Sequence, residues 1–200
     1  MAYTTIDDPT AYFQTKLYTG NDSSRAITFD GNTNMQPDWC WFKARSEAYN
    51  HAAFDSVRGT TKLIRPNQIN AEETHSTTLT AFGSNGFSLG GGDAFTNANN
   101  VTYASWNWKA GTNGSGTTTG SGTGKAYSYS VNTDAGFSIV KYIGNGTNGH
   151  TIPHHLGAVP KILWEKVIIG NTNNWGFYHH SLGNDKAMYC LLYTSDAADE

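Results

Sequence analysis

Across these 200 residues, apolar side chains alternate with polar ones over short runs, and most runs close on Gly, Asn, Asp or Pro. A period of two puts successive side chains on opposite faces of an extended strand, whereas an amphipathic helix needs spacings of three and four. Blocks at helical period are missing. The one helix-like stretch, around Ser46 to Ala53, is short and contains Asn50. An all-β chain with little helix is therefore expected. With aromatics at 13%, 22 glycines and charged residues at only 14%, the chain is rich in strand and turn formers and poor in ionic surface.

Alternating runs place strands at Phe13–Tyr18, Arg25–Phe29, Asp38–Ala44, Ala52–Val57, Lys62–Ile64, Thr77–Phe82, Gly86–Leu89 and Thr102–Lys109. Eight short strands with turns between them point to an antiparallel β-sandwich or jelly roll. In the last strand Ala104, Trp106 and Trp108 share one face and Tyr103, Ser105 and Asn107 the other. The tryptophan pair marks the expected core face. Trp39 and Trp41 likewise share a face, with Cys40 opposite.

Residues Ala110 to Gly124, AGTNGSGTTTGSGTG, carry only small and polar side chains. Such a stretch buries too little apolar area to offset its ordering entropy, and a flexible linker is expected. It separates a first unit, residues 1–109, from a second, residues 125–189. The units are related. Phe13, Tyr18, Gly20 and Asn21 recur in spacing as Phe137, Tyr142, Gly144 and Asn145, and Pro37, Trp41 and Lys43 recur as Pro160, Trp164 and Lys166. The block Phe54-Asp55-Ser56-Val57-Arg58-Gly59 matches Tyr178-His179-His180-Ser181-Leu182-Gly183. Three ordered blocks indicate duplication. Strands in the second unit are expected at Gly136–Ile143, His150–Ile152, Lys161–Ile169 and Trp175–His179.

The string from Cys190 to Glu200, CLLYTSDAADE, resembles the translation of a common transposon-based sequencing adapter, with an acidic tail as the alternative. On the adapter reading, the second unit is a truncated copy ending near Tyr189, without counterparts of Thr74 to Lys109, and Cys40 is the only native cysteine.

Thirteen basic against sixteen acidic residues leave a formal charge of −3 and no basic footprint for phosphates, which disfavours nucleic-acid binding. No apolar run approaches the roughly 20 residues a membrane helix needs, and the N-terminus has no signal-peptide pattern. A soluble protein without a secretion signal is expected. Cys40 and Cys190 have no neighbours at zinc-ligand spacing, so neither a disulfide framework nor a structural zinc site is expected.

The run PDWCWFKARSEAYNHAAFDSVRG from Pro37, with AFGSNGFSLG from Ala81 and YASWNWKAG from Tyr103, resembles uncharacterised repeat domains of marine bacteriophage virion structural proteins. GFSIVKYIGNGTNG from Gly136 and HHLGAVPKILWEK from His154 resemble the repeat that follows in those proteins. The resemblance implies a tail or tail-fibre protein, made in the host cytoplasm and carried on the particle. It implies a sandwich of concanavalin A-like or laminin-G-like type, with other virion proteins as partners and a homo-oligomeric state. It brings no catalytic motif and no cofactor, and no enzymatic activity is expected. The alternatives are a particle-borne enzyme degrading polysaccharide and a secreted lectin.

Exposed aromatics on a sandwich can stack on sugar rings while amides bond the hydroxyls. Trp175, Tyr178 and Asn174 form the best such group, with Tyr49 and Asn50 as the corresponding region of the first unit; packing in a core or between subunits is the competing reading. His150, His154 and His155, with His179 and His180, have spacing that could ligate a metal, but adjacent strand residues point apart and no metal site is assigned. Asp38, Asp55, Glu72, Glu73, Asp93 and Glu165 offer no pair that the spacing singles out for glycoside hydrolysis. Gly90-Gly91-Gly92-Asp93 lacks the Lys-Ser or Lys-Thr of a phosphate loop. Arg58 is expected to pair with Asp55 or a carbonyl and to shape the turn at Gly59. With Trp106 and Trp108, it completes the residues to which a structural role is assigned.

Overall fold

The computed structural model describes residues 6–170, 172–186 and 188–190. Its elements are strands joined by turns, with single turns of 3-10 helix at Pro9–Ala11 and His180–Leu182. The strands are β1 (Phe13–Thr19), β2 (Arg25–Thr28), β3 (Trp39–Ala44), β4 (Ala52–Asp55), β5 (Gly59–Ile64), β6 (Glu73–Thr74), β7 (Leu79–Gly83), β8 (Gly86–Leu89) and β9 (Thr102–Trp108). There follow β10 (Thr112–Thr117), β11 (Thr119–Gly120), β12 (Ala126–Asn132), β13 (Phe137–Tyr142), β14 (His150–Thr151), β15 (Ile162–Glu165), β16 (Trp175–His179) and β17 (Met188–Cys190). The chain is all-β, and every pairing among the described strands is antiparallel. The helix-like stretch takes no helix: Ser46–His51 is irregular and Ala52–Asp55 is strand.

A six-stranded sheet, in the order β1-β9-β3-β4-β5-β6, faces the three-stranded sheet β2-β8-β7 in a sandwich-like pair. Between them lie Ile27 and Phe29, Leu79, Phe87 and Leu89 on one side, and Cys40, Phe42, Ala52, Phe54 and Leu63 on the other. Phe42 sits at the centre, edge-on to Phe87 at 5.0 Å and to Phe54 at 6.0 Å.

The core face is the opposite of the one expected for β9. Tyr103, Ser105 and Asn107 are each 0% exposed, while Trp106 and Trp108 lie half-buried on the outer face. The donors among these buried polar groups are held: the Asn107 amide nitrogen donates to the Gln14 carbonyl at 3.1 Å and to Ser105 Oγ at 2.9 Å, while Asn107 Oδ1 has no partner among the described residues. Hydrogen-bonded, they escape much of the cost of desolvation. Trp108 finds cover in the second unit instead, against Phe137.

The expected linker is also corrected. Thr112–Thr117 forms β10 and pairs with β12, and Thr119–Gly120 forms β11 and pairs with β14. The physical reason lies across the ladder, where Gly114 stands opposite Tyr129 and Gly116 opposite Tyr127. Both rings occupy the space a side chain would fill, since a Cβ on Gly114 would meet the Tyr129 hydroxyl at 2.5 Å. Cross-strand aromatics thus supply the packing that glycines lack. Tyr129 is held from its other side by the His155 ring at 3.7 Å. We expect Gly114→Val to displace this ring and cost about 1–3 kcal/mol by overpacking. A midpoint of urea unfolding equal to the parent's would refute that account.

The hairpins of the two units share one register. Trp41 pairs with Ala53, and Trp164 with Phe177; Trp164 follows Trp41 by 123 residues and Phe177 follows Ala53 by 124. The same shifts relate the pair Cys40 and Phe54 to the pair Leu163 and Tyr178. Lys43 Nζ donates to the Ala44 carbonyl at 2.6 Å, as Lys166 Nζ does to that of Val167 at 2.9 Å. Gly59 and Gly183, at matching places after the turn, have φ of +100° and +81°. The units differ elsewhere: β1 pairs with β9, whereas β13 pairs with β12. Of the adapter-like tail, residues 191–200 lie outside the described residues.

Candidate functional site

The outer face of the six-stranded sheet gathers all six tryptophans of the chain. Alternation and register explain why: β3 turns Trp39 and Trp41 outward, and β9 sets Trp108 and Trp106 directly beside them. The hairpin β15–β16 lies over part of this face. Its Trp164 packs on Trp41 at 5.3 Å and on Trp39 at 6.3 Å, and Trp175 on Trp164 at 4.7 Å. Trp175 also joins Ala53 and Ile64 in a small second core. Phe137 covers Trp108 at 6.2 Å, with Phe13 against Trp108 at 4.7 Å.

What remains open is a strip centred on Trp106, between the exposed Thr15 and Leu17 of β1 and Trp41 of β3. Trp106 meets Trp41 edge-on at 6.0 Å. The Trp41 indole N–H donates to His51 Nδ1 at 2.9 Å, and the His51 amide donates to Asn67, whose side chain bonds Asn50. Lys43 lies on the same outer face. Half-buried aromatic rings bordered by imidazole, amide and ammonium groups can bind a sugar's apolar face and its hydroxyls.

His51 accepts the indole proton only while Nδ1 is unprotonated. Burial, and then the nearby Lys43 charge, hold its pKa below the ordinary 6.5. An unfolded chain therefore takes up the proton first as pH falls, so this contribution to stability is complete above pH 6.5 and declines below it. We expect the thermal midpoint to fall between pH 7 and pH 5, and His51→Gln to flatten that fall. An unchanged slope in the variant would show that His51 is not the sensor.

The residues read as a sugar site are not brought together as a platform. Trp175 is 2% exposed, and its indole N–H donates to the carbonyls of Arg65 and Gln68, each at 3.1 Å. That corrects its assignment as a stacking surface: it is an anchor between the units. Asn174 and Tyr178 are half-buried, and the Tyr178 hydroxyl donates to Asn184. Tyr49 packs against Ala44, Val101 and Tyr103, and Asn50 accepts from Asn67. Trp106, placed in the core by sequence, is the residue that the sugar reading missed. The contrast of Trp106 with the polar Ser105 and Asn107 gave no clue to which face lay open.

The acids weighed for hydrolysis are engaged. Asp38, 1% exposed, accepts from Ser56 Oγ at 2.7 Å and the Ala110 amide at 2.9 Å. Arg58 bridges Asp55 at 2.5 Å and Glu72 at 3.1 Å and donates to the Lys62 carbonyl. Arg65 binds Glu73 through both terminal nitrogens, at 2.5 and 2.8 Å, and holds its carboxyl below the ordinary range, His75 adding a further bond. Asp93 caps the loop after Gly90-Gly91-Gly92 by accepting from the Phe95 amide, and Glu165 accepts from the Tyr142 hydroxyl. Gly90 itself accepts from the buried Asn97 side chain, so the glycine run is a packed corner.

Among the histidines, His150 bonds Thr118 at 2.6 Å, His154 and His179 each accept a nearby amide, and His155 stacks on Tyr129. Among the described residues no three His, Cys, Asp or Glu side chains are grouped to hold a metal ion. Pro37 is buried at the start of β3, and Pro160 half-buried before β15. Cys40 is a buried free thiol, its pKa pushed well up by burial. No helix among the described residues is long and apolar enough to cross a membrane.

Fold and face together define an all-β, sandwich-like protein whose outer sheet surface is part intramolecular contact and part open aromatic strip. The chain belongs to the family described as Domain of unknown function (DUF7483), whose sequence model matches residues 8–200. No curated protein and no solved structure matches the chain.

Proposed function

We propose that this chain is a structural and adhesive module of a bacteriophage particle, part of a tail or tail fibre. Its architecture is a duplicated sandwich of jelly-roll, concanavalin A-like type, with a shorter second copy. The observation that carries the reading is the common register of the two tryptophan hairpins and their stacking on each other, Trp41 against Trp164 at 5.3 Å. Repeats that dock through equivalent residues make a stiff element, and repetition presents weak contacts together. On the particle its partners are other virion proteins, copies of itself and glycans of the host surface.

The open strip at Trp106 is the surface that would meet such glycans. The engagement of the acids in ion pairs and caps supports binding over hydrolysis. The test has two arms. Antibody against the chain should label purified phage particles, and immobilised chain should retain bacterial surface polysaccharide, with retention falling about tenfold in Trp106→Ala and partly restored in Trp106→Phe. Absence from particles sinks the virion assignment. Equal retention by Trp106→Ala and the parent sinks the glycan strip.

A further inference from the structure

We infer that the outer edges of β13 and β15 form the two sides of a slot for an added β-strand, and that the strand it takes has the pattern of β9. That pattern is an extended segment in which Ala104, Trp106 and Trp108 alternate with Tyr103, Ser105 and Asn107. The inference rests on the equivalence of the two units and is independent of the particle assignment.

In the first unit β9 lies between β1 and β3 and pairs with both. The counterparts of those neighbours are β13, where Phe137 and Tyr142 follow Phe13 and Tyr18 by 124 residues, and β15, where Trp164 follows Trp41 by 123. Among the described residues β13 pairs only with β12, and β15 only with β16. Each therefore leaves one edge without a strand among the described residues. An open edge offers a row of N–H and C=O groups that a further strand satisfies by main-chain hydrogen bonds, while side-chain pockets choose its sequence.

Side chains beside the slot differ from their first-unit counterparts as a missing strand requires. Tyr18 stacks on Tyr103 of β9 at 5.3 Å. Tyr142, its counterpart, is 36% exposed and reaches instead to Glu165 on β15. Ala44, packed with Tyr103 of β9, is 2% exposed, but Val167, in the same place, is 45%. Glu165 stands where the first unit has the buried Phe42, so the inference concerns the strand edge and not a covering sheet. Ser105 is the β9 residue opposite Phe42. A hydroxyl in that position would stand opposite Glu165, which can accept its proton.

The test adds a synthetic peptide of residues 101–109 to the intact chain and follows backbone hydrogen exchange. Amides of β13 and β15 should exchange about tenfold more slowly with the peptide than with a scrambled one. A second arm fixes the register: a peptide carrying cysteine for Asn107 should form a disulfide with Leu163→Cys, because Asn107 pairs with Cys40 in the first unit. Cysteine in place of Ser105 should not. No slowing, or equal slowing by the scrambled peptide, overturns the inference while the equivalence of the units stands. Slowing with the disulfide in the other register overturns the equivalence itself. Slow exchange before any peptide is added, or slowing that grows with protein concentration alone, also overturns the inference, the latter by making a second copy the occupant.

Discussion

Arg58→Ala should destabilise the chain by about 3–5 kcal/mol, the effect expected when one member of a buried ion pair is removed. The Arg58 side chain is 5% exposed and that of Asp55 3%, so its loss strands a carboxylate where water cannot replace the guanidinium. It also frees Glu72 and the Lys62 carbonyl, which tie β5 and the loop before β6 to the turn. Glu72 is itself bonded through its amide to Ile168 of the second unit, so the disturbance should reach both units. Against a typical total of about 5–15 kcal/mol, this is a large fraction of the stability. Urea unfolding measures it directly. Arg58→Ala combined with Asp55→Ala should recover part of the loss, because the unpaired charge is gone. A single variant within about 1 kcal/mol of the parent would mean that the pair is solvated in solution.

Trp175→Ala should cost about 3–5 kcal/mol, the usual range for deleting a buried aromatic. The effect should be greatest in the second unit. Trp175 contributes nothing to the core around Phe42 and Phe87, but it fills the contact of Ala53 and Ile64 with Trp164 and caps two carbonyls of the first unit. Hydrogen exchange should therefore accelerate across β15–β17 and remain slow in β3, β8 and β9. Uniform acceleration would make the two units a single cooperative block. No acceleration would deny the docking.

Most strands of the first unit were legible, several to within a residue or two of their ends. β3 and β9 show why: their side chains alternate, and both are followed by segments that cannot continue the pattern. Arg58 with Asp55 was legible because the partners lie three residues apart. Glu72, which shares the same guanidinium, was not, because only the pairing of β5 with β6 brings it near. The strand β10 was hidden altogether. Thr112–Thr117 has no apolar side chain, and what stabilises it as strand are Tyr127 and Tyr129, which belong to another strand. The candidate strip was legible only as a set of tryptophans, with Trp175 placed outside and Trp106 inside, the reverse of what the fold does.

From its sequence alone, then, the chain is an extended, turn-punctuated polymer with two-faced strands and two tryptophan-bearing segments of matching spacing, because alternation, turn residues and spacing are local properties. Which face of each strand meets the core was decided only by tertiary structure. A period of two defines two faces but does not label them; β2, β7 and β8 settle over Phe42 and Tyr18, and the second hairpin settles over Trp39 and Trp41. Burial is a property of what packs on a surface, and that comes from residues far away along the chain.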